Sequence, residues 1–594
     1  MPFKRPGLLA ALVAAGFLTA PADSRAGNEA DLTVSDFYHQ PPTPDLLHSP
    51  PRKSEGMARF LDNLLDGRTL PIPCASSLLQ ELRRHRDALA DSTREALRSL
   101  SQPPVLDSDG NRPTRDGRYT IHYTVDPESP DAVVTADKDF NGVPDIVDQV
   151  EEALALAQGT ISERLGWPAP ASRIQGEPYD VYLVNLGEGR QGFTPVEREN
   201  LSTRQDDAFS HMVLDSRLDG NALKAAVAHQ YAHASLYELS TRAPAWWAEA
   251  TAAWLEVQVT GDPSPHREAV ARRLERMSSS LASDSLVLSL GNLLWTSLLA
   301  DRWEGRGEEL RQIWLESSLR SGEPLLPLLD EVLRRTGEGT LAEAFQDYTR
   351  WALFTGPRDD GNHFRLGGLF PPLVQRVNHQ NFPAESASLE TVEPLGAAVI
   401  RFEGDGKPGG LRIRFEGEVP SLLQVDLVIT SSGETHPHLV DMNLDDRGRG
   451  EVGIPWRNVR EAVMIVRYPA LDGTSARFHY VAQLDPLYPF DLSSFGALAS
   501  PGGITLQWTT ARETDLLGWN IYRSDRPSGP FRRLNPLAVP SGSDTVEETD
   551  YLYQDTSAQK DHRYYYQVEA ITVLGLPERS FVLSARASGD EAVP

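Results

Sequence analysis

Apolar residues recur at helical spacing in the first part of the chain and at alternate positions in the last part. The helical spacing is clear in DIVDQVEEALALAQGTISERLGW, GNLLWTSLLADRW and LAEAFQDYTRWALF, and in the run from Asn221 to Val259, which has a break at STRAP. RYTIHYT and YDVYLVNL alternate between polar and apolar residues as strands do. The pattern predicts a mixed α/β domain over residues 116–380.

Short alternating runs replace the helices after residue 380. AAVIRFEG, LRIRFEG, LQVDLVIT and AVMIVRYP are separated by Gly, Asp and Ser turns, which predicts an all-β sandwich over 381–486. The final runs, GITLQWTT, GWNIYRS and RYYYQVEAIT, resemble a fibronectin type III module over 487–594, with Trp508 on an early strand and Tyr566 on a late one. The predicted fold class is therefore multidomain α+β, with a mixed domain followed by two all-β sandwich domains.

The first residues predict a targeting signal. MPFKRPGLLAALVAAGFLTAPADSRAG has a basic start, an apolar run and small residues toward Ala26. Because the run is short for a membrane span of about 20 residues, we predict a cleaved signal peptide over 1–26 and a secreted, extracytoplasmic protein. Residues 27–115 are polar and proline-punctuated except for SSLLQELRRHRDALADSTREALRSL, and predict an N-terminal helical, pro-like segment. No later run is apolar for long enough to predict a transmembrane segment.

The length and charge of the chain indicate more than one domain and limit the kinds of partner that it can bind. A chain of 594 residues is too long for one hydrophobic core. Its 57 basic and 84 acidic residues give a net charge of -27 with no basic tract, which argues against nucleic acid as a partner. Cys74 is the only cysteine, so no intrachain disulfide can form and stability must come from packing or bound ions. The oligomeric state stays open.

The loop DKDFNGVPDIVD matches the EF-hand spacing of calcium ligands. Side-chain oxygens occupy positions 1, 3, 5, 9 and 12, and a glycine at position 6 permits the sharp turn. The five side chains are Asp137, Asp139, Asn141, Asp145 and Asp148. We predict a structural calcium site that the Val143 carbonyl completes, although position 12 is aspartate rather than glutamate. The alternative is an acidic turn that caps the following helix.

A second motif lies in AVAHQYAHASLYELSTRAPAWWAEATAAWLE. His229 and His233 are four residues apart, so on a helix both imidazoles project from one face, as the ligands of a zinc ion do. Glu249 lies sixteen residues beyond His233, after the STRAP break, on a helix that could run back antiparallel to the first. A lone pair of histidines at this spacing is more often packing than metal binding, but Glu249, the calcium-like loop and the secretory signal agree with a metal site.

This stretch resembles the gluzincin class of zinc metallopeptidases, in which a helix bearing His-Glu-x-x-His is followed by a helix with a glutamate ligand. It is closer to secreted bacterial metallopeptidases that pair such helices with an upstream D-x-D-x-N-G-x-P-D loop, here Asp137 to Asp145. The resemblance implies a zincin-like domain with His229, His233 and Glu249 as zinc ligands. Gln230 then stands at the position of the general base, so the motif is HQxxH rather than HExxH.

The departure at Gln230 bears directly on catalysis. In such peptidases the metal polarises the scissile carbonyl and acidifies a water, and the glutamate carries the proton to the leaving amine. Gln230 cannot accept a proton at neutral pH, and loss of a general base costs about 10²–10⁴ in rate. Tyr231 and His211 are other candidates for proton transfer, and Glu256 is either a partner of the ligands or a surface residue.

Three functions follow from these residues. The leading hypothesis is a secreted zinc-metallopeptidase-like pseudoenzyme that binds zinc, is catalytically impaired and acts by binding a protein or peptide. The first alternative is an active zinc endopeptidase, a hydrolase that uses another base. The second is a calcium-stabilised surface adhesion protein. For Cys74, one interpretation is a precursor thiolate in the open zinc position, and the other is a buried or merely tolerated thiol.

Overall fold

The computed structural model describes residues 74–587, apart from short gaps. The gaps are 107–109, 173, 175, 188, 204, 284, 303–306, 321, 376, 388, 419–421, 433–436, 501, 527–528, 543–546, 574–576 and 581. The predicted signal peptide and the start of the predicted pro-like segment lie outside the described residues.

The chain forms two compact units. Unit 1 comprises Met1–Arg273, Ala282–Thr340 and Phe354–Pro372, and unit 2 comprises Leu274–Leu281, Leu341–Leu353 and Leu373–Pro594. Helices dominate the first unit and strands the second, which confirms the prediction of a multidomain α+β chain with a β-rich C-terminal part. No described helix is both long enough and apolar enough to cross a membrane.

Eleven α-helices are described, and we number them in chain order. They are α1 Ser76–Arg84, α2 Asp91–Leu100, α3 Asp145–Ala157, α4 Gly220–Tyr237, α5 Ala245–Thr260, α6 Arg267–Glu275, α7 Leu286–Gly291, α8 Leu293–Arg302, α9 Glu308–Leu319, α10 Leu325–Thr336 and α11 Leu341–Trp351. The first helix of the mixed region, α3, continues as a π-helical segment, Gln158–Arg164.

The described strands are numbered in the same way. In unit 1 they are β1 Gly110–Pro113, β2 Tyr119–Tyr123, β3 Tyr179–Val184, β4 Gly192–Phe193, β5 Val196–Glu199, β6 Ala208–Ser210 and β7 Met212–Asp215. In unit 2 they are β8 Val377–His379, β9 Ala384–Glu385, β10 Glu390–Val392, β11 Gly396–Glu403, β12 Gly410–Gly417, β13 Gln424–Ser431, β14 His438–Met442, β15 Arg449–Pro455, β16 Val459–Tyr468, β17 Ala476–Asp485, β18 Phe490–Ser500, β19 Gly503–Glu513, β20 Leu516–Ser524, β21 Arg532–Arg533, β22 Val539–Pro540, β23 Thr549–Asp555, β24 Arg563–Thr572, β25 Pro577–Arg579 and β26 Leu583–Arg586.

The main sheet of unit 1 has the order β1-β2-β3-β7-β4. The central strands β2, β3 and β7 run parallel to one another, whereas β1 and β4 are antiparallel to their neighbours. Strand β4 therefore lies at one edge of the sheet. This edge also receives Cys74, whose backbone forms an isolated parallel bridge with Gly192.

The predicted N-terminal helix is divided into two. Helices α1 and α2 are separated by a short 3₁₀ turn at Arg86–Ala88 and by Leu89, which has an extended backbone. The break lets leucines from both helices and from the turn reach one apolar cluster on the sheet, which a single straight helix could not do. The leucines are Leu78, Leu79, Leu82, Leu89, Leu97 and Leu100, and the sheet residues are Tyr182, Val184, Leu186, Phe193 and Val213.

Helices α4 and α5 are apolar on nearly every face, as expected for helices that pass through the interior of a unit. Their buried residues include polar ones, His229, His233 and Glu249, which are at most 5% exposed. Helix α5 ends at Thr260 and is capped by Gly261, whose φ of 70° lies in the left-handed region that glycine adopts without strain. The short connection between the two helices places their side chains against each other.

Unit 2 contains four sheets whose side chains share one apolar cluster. The strands β8 to β17 form two sheets, with the orders β10-β17-β12-β15 and β14-β13-β16-β11-β8. The later strands form a three-stranded sheet, β18-β19-β23, and a six-stranded sheet with the order β21-β20-β24-β25, in which β22 also pairs with β20 and β26 with β24. Trp508 on β19 is buried beside Trp519, and Tyr566 on β24 donates to Asp555, 2.8 Å away.

Candidate metal centre

Helix α4 presents two imidazoles to the same point. His229 and His233 lie one helical turn apart, and their Nε2 atoms are 3.2 Å from each other. Both rings are almost fully buried. Two nitrogens that face one another at this distance have the arrangement of a ligand pair around an ion.

Helix α5 brings Glu249 to the histidine pair. One carboxylate oxygen lies 3.3 Å from His229 Nε2 and the other lies 3.5 Å from His233 Nε2. Both oxygens are buried, and neither accepts a hydrogen bond of good geometry from a described residue. A buried carboxylate without such a bond is costly unless another charge, such as an ion, compensates it.

Cys74 adds a fourth donor atom. Its Sγ lies 3.4 Å from His233 Nε2, and the residue is 7% exposed. One donor atom from each of Cys74, His229, His233 and Glu249 lies within 4.8 Å of all the others. The cysteine comes from the start of the described chain, and the three other donors come from the paired helices.

Four of the distances between these donors match the spacing of ligand atoms around a tetrahedral metal ion. Zinc binds nitrogen, oxygen and sulfur at about 2.0–2.3 Å, which places neighbouring ligand atoms about 3.3–3.8 Å apart in a tetrahedron. The Cys74–His233, His233–His229, His229–Glu249 and His233–Glu249 distances are 3.2–3.5 Å, and Cys74 lies within 4.8 Å of His229 and Glu249. The donor set of thiolate, two imidazoles and carboxylate also suits zinc better than calcium or magnesium. We conclude that this buried cluster could bind a metal ion.

In the cluster, the charges of two acidic groups, Cys74 and Glu249, are balanced by two basic groups, His229 and His233. Burial and Glu249 raise the pKa of the Cys74 thiol, but His233 and His229 outweigh them and bring it to about 6. Burial alone would lower the pKa of His233, yet Cys74 and Glu249 raise it to about 9. The pKa of Glu249 is held well below its ordinary value by both histidines, against the effect of burial. A bound dication would take the place of the histidine protons in this balance.

Glu256 is a buried partner of the ligands. Its Oε2 lies 3.0 Å from His229 Nδ1 and 2.7 Å from His266 Nε2, and the residue is 2% exposed. The surface position considered for it is therefore wrong. Burial raises the pKa of Glu256, but His266 and His229 bring it down to about 2. A carboxylate that accepts from Nδ1 fixes the ring so that Nε2 faces the metal position.

Gln230 is held by hydroxyl groups. Its side-chain oxygen accepts from Ser76 Oγ at 2.9 Å and from Thr194 Oγ1 at 3.0 Å, and the residue is 1% exposed. Ser76 Oγ in turn accepts from the backbone N–H of Thr194 at 2.9 Å and lies 3.2 Å from Cys74 Sγ. The amide therefore links the helix to the segment that carries the cysteine.

The other two candidates for proton transfer, Tyr231 and His211, form hydrogen bonds outside the Cys74 cluster. Tyr231 shares a hydrogen bond with Ser162 at 2.8 Å and contacts Tyr119. His211 Nδ1 lies 2.8 Å from a Glu197 carboxylate oxygen. Neither contact belongs to the Cys74 cluster, and the geometry gives no reason to assign a proton-transfer role to Tyr231 or His211.

The calcium-like loop is organised around Asn141. Its Nδ2 donates to Asp139 at 3.0 Å and to Asp148 at 2.9 Å, and its backbone N–H donates to Asp137 at 3.1 Å. Gly142 has a φ of 81°, as the sharp turn requires. Asn141 therefore contacts three of the loop's aspartates, two through its side chain and one through its backbone N–H.

Cations already accompany two of the loop carboxylates. Lys138 lies 3.2 Å from Asp145, and Arg112 lies 3.2 Å from Asp148. The backbone N–H of Val143 donates to Asn141, 2.8 Å away. The calcium assignment to this loop stays a prediction.

Added calcium is expected to raise the melting temperature of the full chain, because an ion that binds only the folded state stabilises it by mass action. At a free concentration about a hundred times the dissociation constant, the gain is on the order of 2–3 kcal/mol. Asp139→Ala combined with Asp145→Ala should abolish the response, whereas Asp116→Ala, outside the loop, should keep it. A melting curve of the natural chain that is unchanged by chelation would contradict a structural site.

Three site residues were not recognised in the sequence. Ser76, Thr194 and His266 each contact a residue of the cluster or Gln230. Serine and threonine are common throughout the chain, and His266 lies outside the two motif helices, so no spacing marks them. Cys74 stands out in the sequence as the only cysteine. It lies 159 residues before His233, and only the fold brings the two side chains together.

No protein-family model and no curated protein matches the chain. Solved structures with similar parts include an Fn3-like protein from Clostridium thermocellum, with 23% identity, a TM-score of 0.14 and coverage of 17% of this chain and 97% of that one. Another is a beta-1,2-glucanase from Parabacteroides distasonis, with 15% identity, a TM-score of 0.13 and coverage of 37% and 34%. A third is the adhesin domain of Epf from Streptococcus pyogenes, with 13% identity, a TM-score of 0.13 and coverage of 34% and 77%. These likenesses are too distant to bear on function.

Proposed function

We propose that this chain is a secreted zinc-metallopeptidase-like protein that binds zinc, hydrolyses peptides poorly or not at all, and acts by binding a protein or peptide. One observation carries the proposal: His229, His233 and Glu249 come from two packed helices and place buried donor atoms 3.2–3.5 Å apart. Secretion rests on the sequence of residues 1–26.

Each side chain has a defined part in this proposal. His229, His233 and Glu249 hold the ion, and Glu256 orients the His229 ring through Nδ1. When bound in such a site, zinc polarises a carbonyl group and lowers the pKa of water. Gln230 stands where a base would take up the proton, and its amide cannot do so at neutral pH. The impaired step is therefore proton transfer, and ion binding is retained.

The edge of the sheet supports a peptide-binding role. Strand β4 lies at the edge of the sheet, and an extended peptide can add to such an edge by main-chain hydrogen bonds. Gly192 of this strand already bridges the backbone of Cys74, a residue of the metal cluster. A peptide would therefore have to displace Cys74 from Gly192 before it could pair with β4 beside the ligands.

Purified full-length chain should contain about one zinc per molecule, measured by elemental analysis after dialysis. His229→Ala combined with His233→Ala should reduce the content to below about a tenth, because Glu249 and Cys74 alone are fewer than the three protein donors of an ordinary zinc site. His562→Ala removes an exposed histidine of unit 2 and is the matched control, which should keep the metal. A natural chain without metal would contradict the proposal and favour the calcium-stabilised adhesion protein. Peptide cleavage at a rate ordinary for such peptidases would favour the active endopeptidase.

A further inference from the structure

The segment that follows Cys74 is docked on both ligand helices. In α1, Gln80 Nε2 donates to the carbonyl groups of Thr241, at 2.6 Å, and of Ala243, at 3.2 Å. Arg84 donates to the carbonyl of Arg242 at 2.6 Å. These three carbonyl groups belong to the connection between α4 and α5. Helix α1 therefore holds the joint between the helix that carries the histidines and the helix that carries Glu249.

The same segment reaches the metal cluster through two neighbouring side chains. Cys74 Sγ contacts His233 Nε2 at 3.4 Å, and the backbone N–H of Ser76 points at this sulfur from 3.4 Å. Ser76 Oγ donates to Gln230, and the Ser76 carbonyl accepts from Tyr237 OH at 3.4 Å. The cysteine and the glutamine position of the motif are thus joined through a single serine.

A thiol that only filled space would be expected among apolar side chains. Cys74 instead faces two ring nitrogens and a carboxylate, the donors that a zinc ion uses. Three protein ligands leave a catalytic zinc one open position, whereas four ligands close the site. In this chain Cys74 Sγ lies 3.4 Å from His233 Nε2 and within 4.8 Å of the donor atoms of His229 and Glu249.

We propose that the segment Cys74–Arg84, which we call the N-terminal plug, closes the metal centre, with the Cys74 thiolate as the fourth zinc ligand and Ser76 bound to Gln230. The inference rests on the zinc centre proposed above. In this proposal Gln230 has two effects. Its amide cannot act as a base, and its side chain is the attachment point of the plug. The chain thus has two independent blocks to hydrolysis, an occupied fourth position and an absent proton acceptor.

Cobalt in place of zinc reports the ligands directly. The full-length chain is stripped with a chelator and reloaded with Co²⁺ alone, and its absorption spectrum is recorded. We expect one cobalt per chain and a sulfur-to-cobalt charge-transfer band in the near ultraviolet. Cys74→Ser is nearly isosteric and should keep the metal and the fold while the band disappears. His562→Ala should leave both unchanged.

Azide tests whether the plug closes the fourth position. Azide should bind Cys74→Ala cobalt protein at least about tenfold more tightly than the natural cobalt protein, with a change in the visible spectrum, because a ligand position has become free. Ser76→Ala keeps the thiol but removes the bond to Gln230, so it should keep the charge-transfer band.

The outcomes separate the two proposals. Cobalt bound without a sulfur band in the natural chain would overturn the role of Cys74 and leave the metal centre standing. A band present in the natural chain but unaffected by Cys74→Ser would also overturn it. Equal azide affinity in the natural chain and Cys74→Ala would show that the fourth position is already open. If neither the natural chain nor any of its variants binds cobalt or zinc, the metal centre itself is rejected.

Discussion

Replacing Gln230 by glutamate and Cys74 by alanine together should raise cleavage of a short fluorogenic peptide at least about a hundredfold over the natural chain. That gain lies within the 10²–10⁴ that a general base contributes. Glutamate is nearly isosteric with Gln230, and its carboxylate can accept from Ser76 and Thr194 as the amide does. The alanine at position 74 frees the space beside His233. The gain should be lost on chelation and in a further His233→Ala variant.

The single variant Gln230→Glu separates the two blocks to hydrolysis, the absent proton acceptor and the occupied fourth ligand position. From the sequence alone, Gln230→Glu is expected to restore activity by itself, since only the proton acceptor is lacking. The position of Cys74 predicts instead that Gln230→Glu alone gains less than about a tenth of the double variant's increase. Full recovery in the single variant would exclude Cys74 as a block. An inert double variant that still binds zinc would mean that the rest of the substrate groove no longer supports catalysis.

Asp426→Ala should destabilise unit 2 by about 3–5 kcal/mol, the typical cost of removing one partner from a buried ion pair. Asp426 is 1% exposed and accepts from two buried arginines, Arg350 and Arg467. Arg467 Nε also donates to Thr349, and Arg350 donates to Asp441 at 3.1 Å. Burial and Arg350 lower the pKa of Arg467 while Asp426 opposes them, so loss of the carboxylate leaves its charge uncompensated.

Urea unfolding followed by circular dichroism measures this loss. Glu416→Ala is the matched control, because the Glu416–Arg449 pair joins two side chains that are 60% and 57% exposed. An exposed pair contributes about 0–1 kcal/mol. A loss below about 1 kcal/mol for Asp426→Ala would show that the arginines find other partners or water. A double variant, Asp426→Leu with Arg467→Met, should recover part of the stability, since it removes the central carboxylate and the fully buried charge together.

Periodicity predicted most of the elements correctly. The alternating runs of unit 2 became β11, β12, β13 and β16, and the helical runs of unit 1 became α3, α4 and α5. The N-terminal helix was the exception, because its leucines continue at helical spacing through a turn. Spacing reports which face of an element is apolar, but the break depends on the sheet surface that the leucines must cover.

The buried ion network of unit 2 is visible in the sequence as charges inside apolar runs. Asp426 interrupts the apolar run LQVDLVIT, and Arg467 ends another, AVMIVRYP. A charge inside a buried strand demands a partner. The sequence shows that Asp426 needs a charged partner, but the identity of that partner depends on which strands pair. Here β13 pairs with β16, with Asp426 opposite Ile465, and Arg467 of β16 donates to Asp426.

The sequence by itself determined the histidine pair, the unusual Gln230 and the loop around Asn141, because local spacing on a helix or in a tight turn fixes where such side chains point. Glu249 was a candidate through the family resemblance, since it lies on a second helix. The tertiary structure alone decided that Cys74 joins this cluster, that Ser76 and Thr194 hold Gln230, and that Glu256 is buried between His229 and His266. These contacts join segments 10–159 residues apart in the chain. They depend on how the helices and the sheet edge pack, which a one-dimensional pattern does not encode.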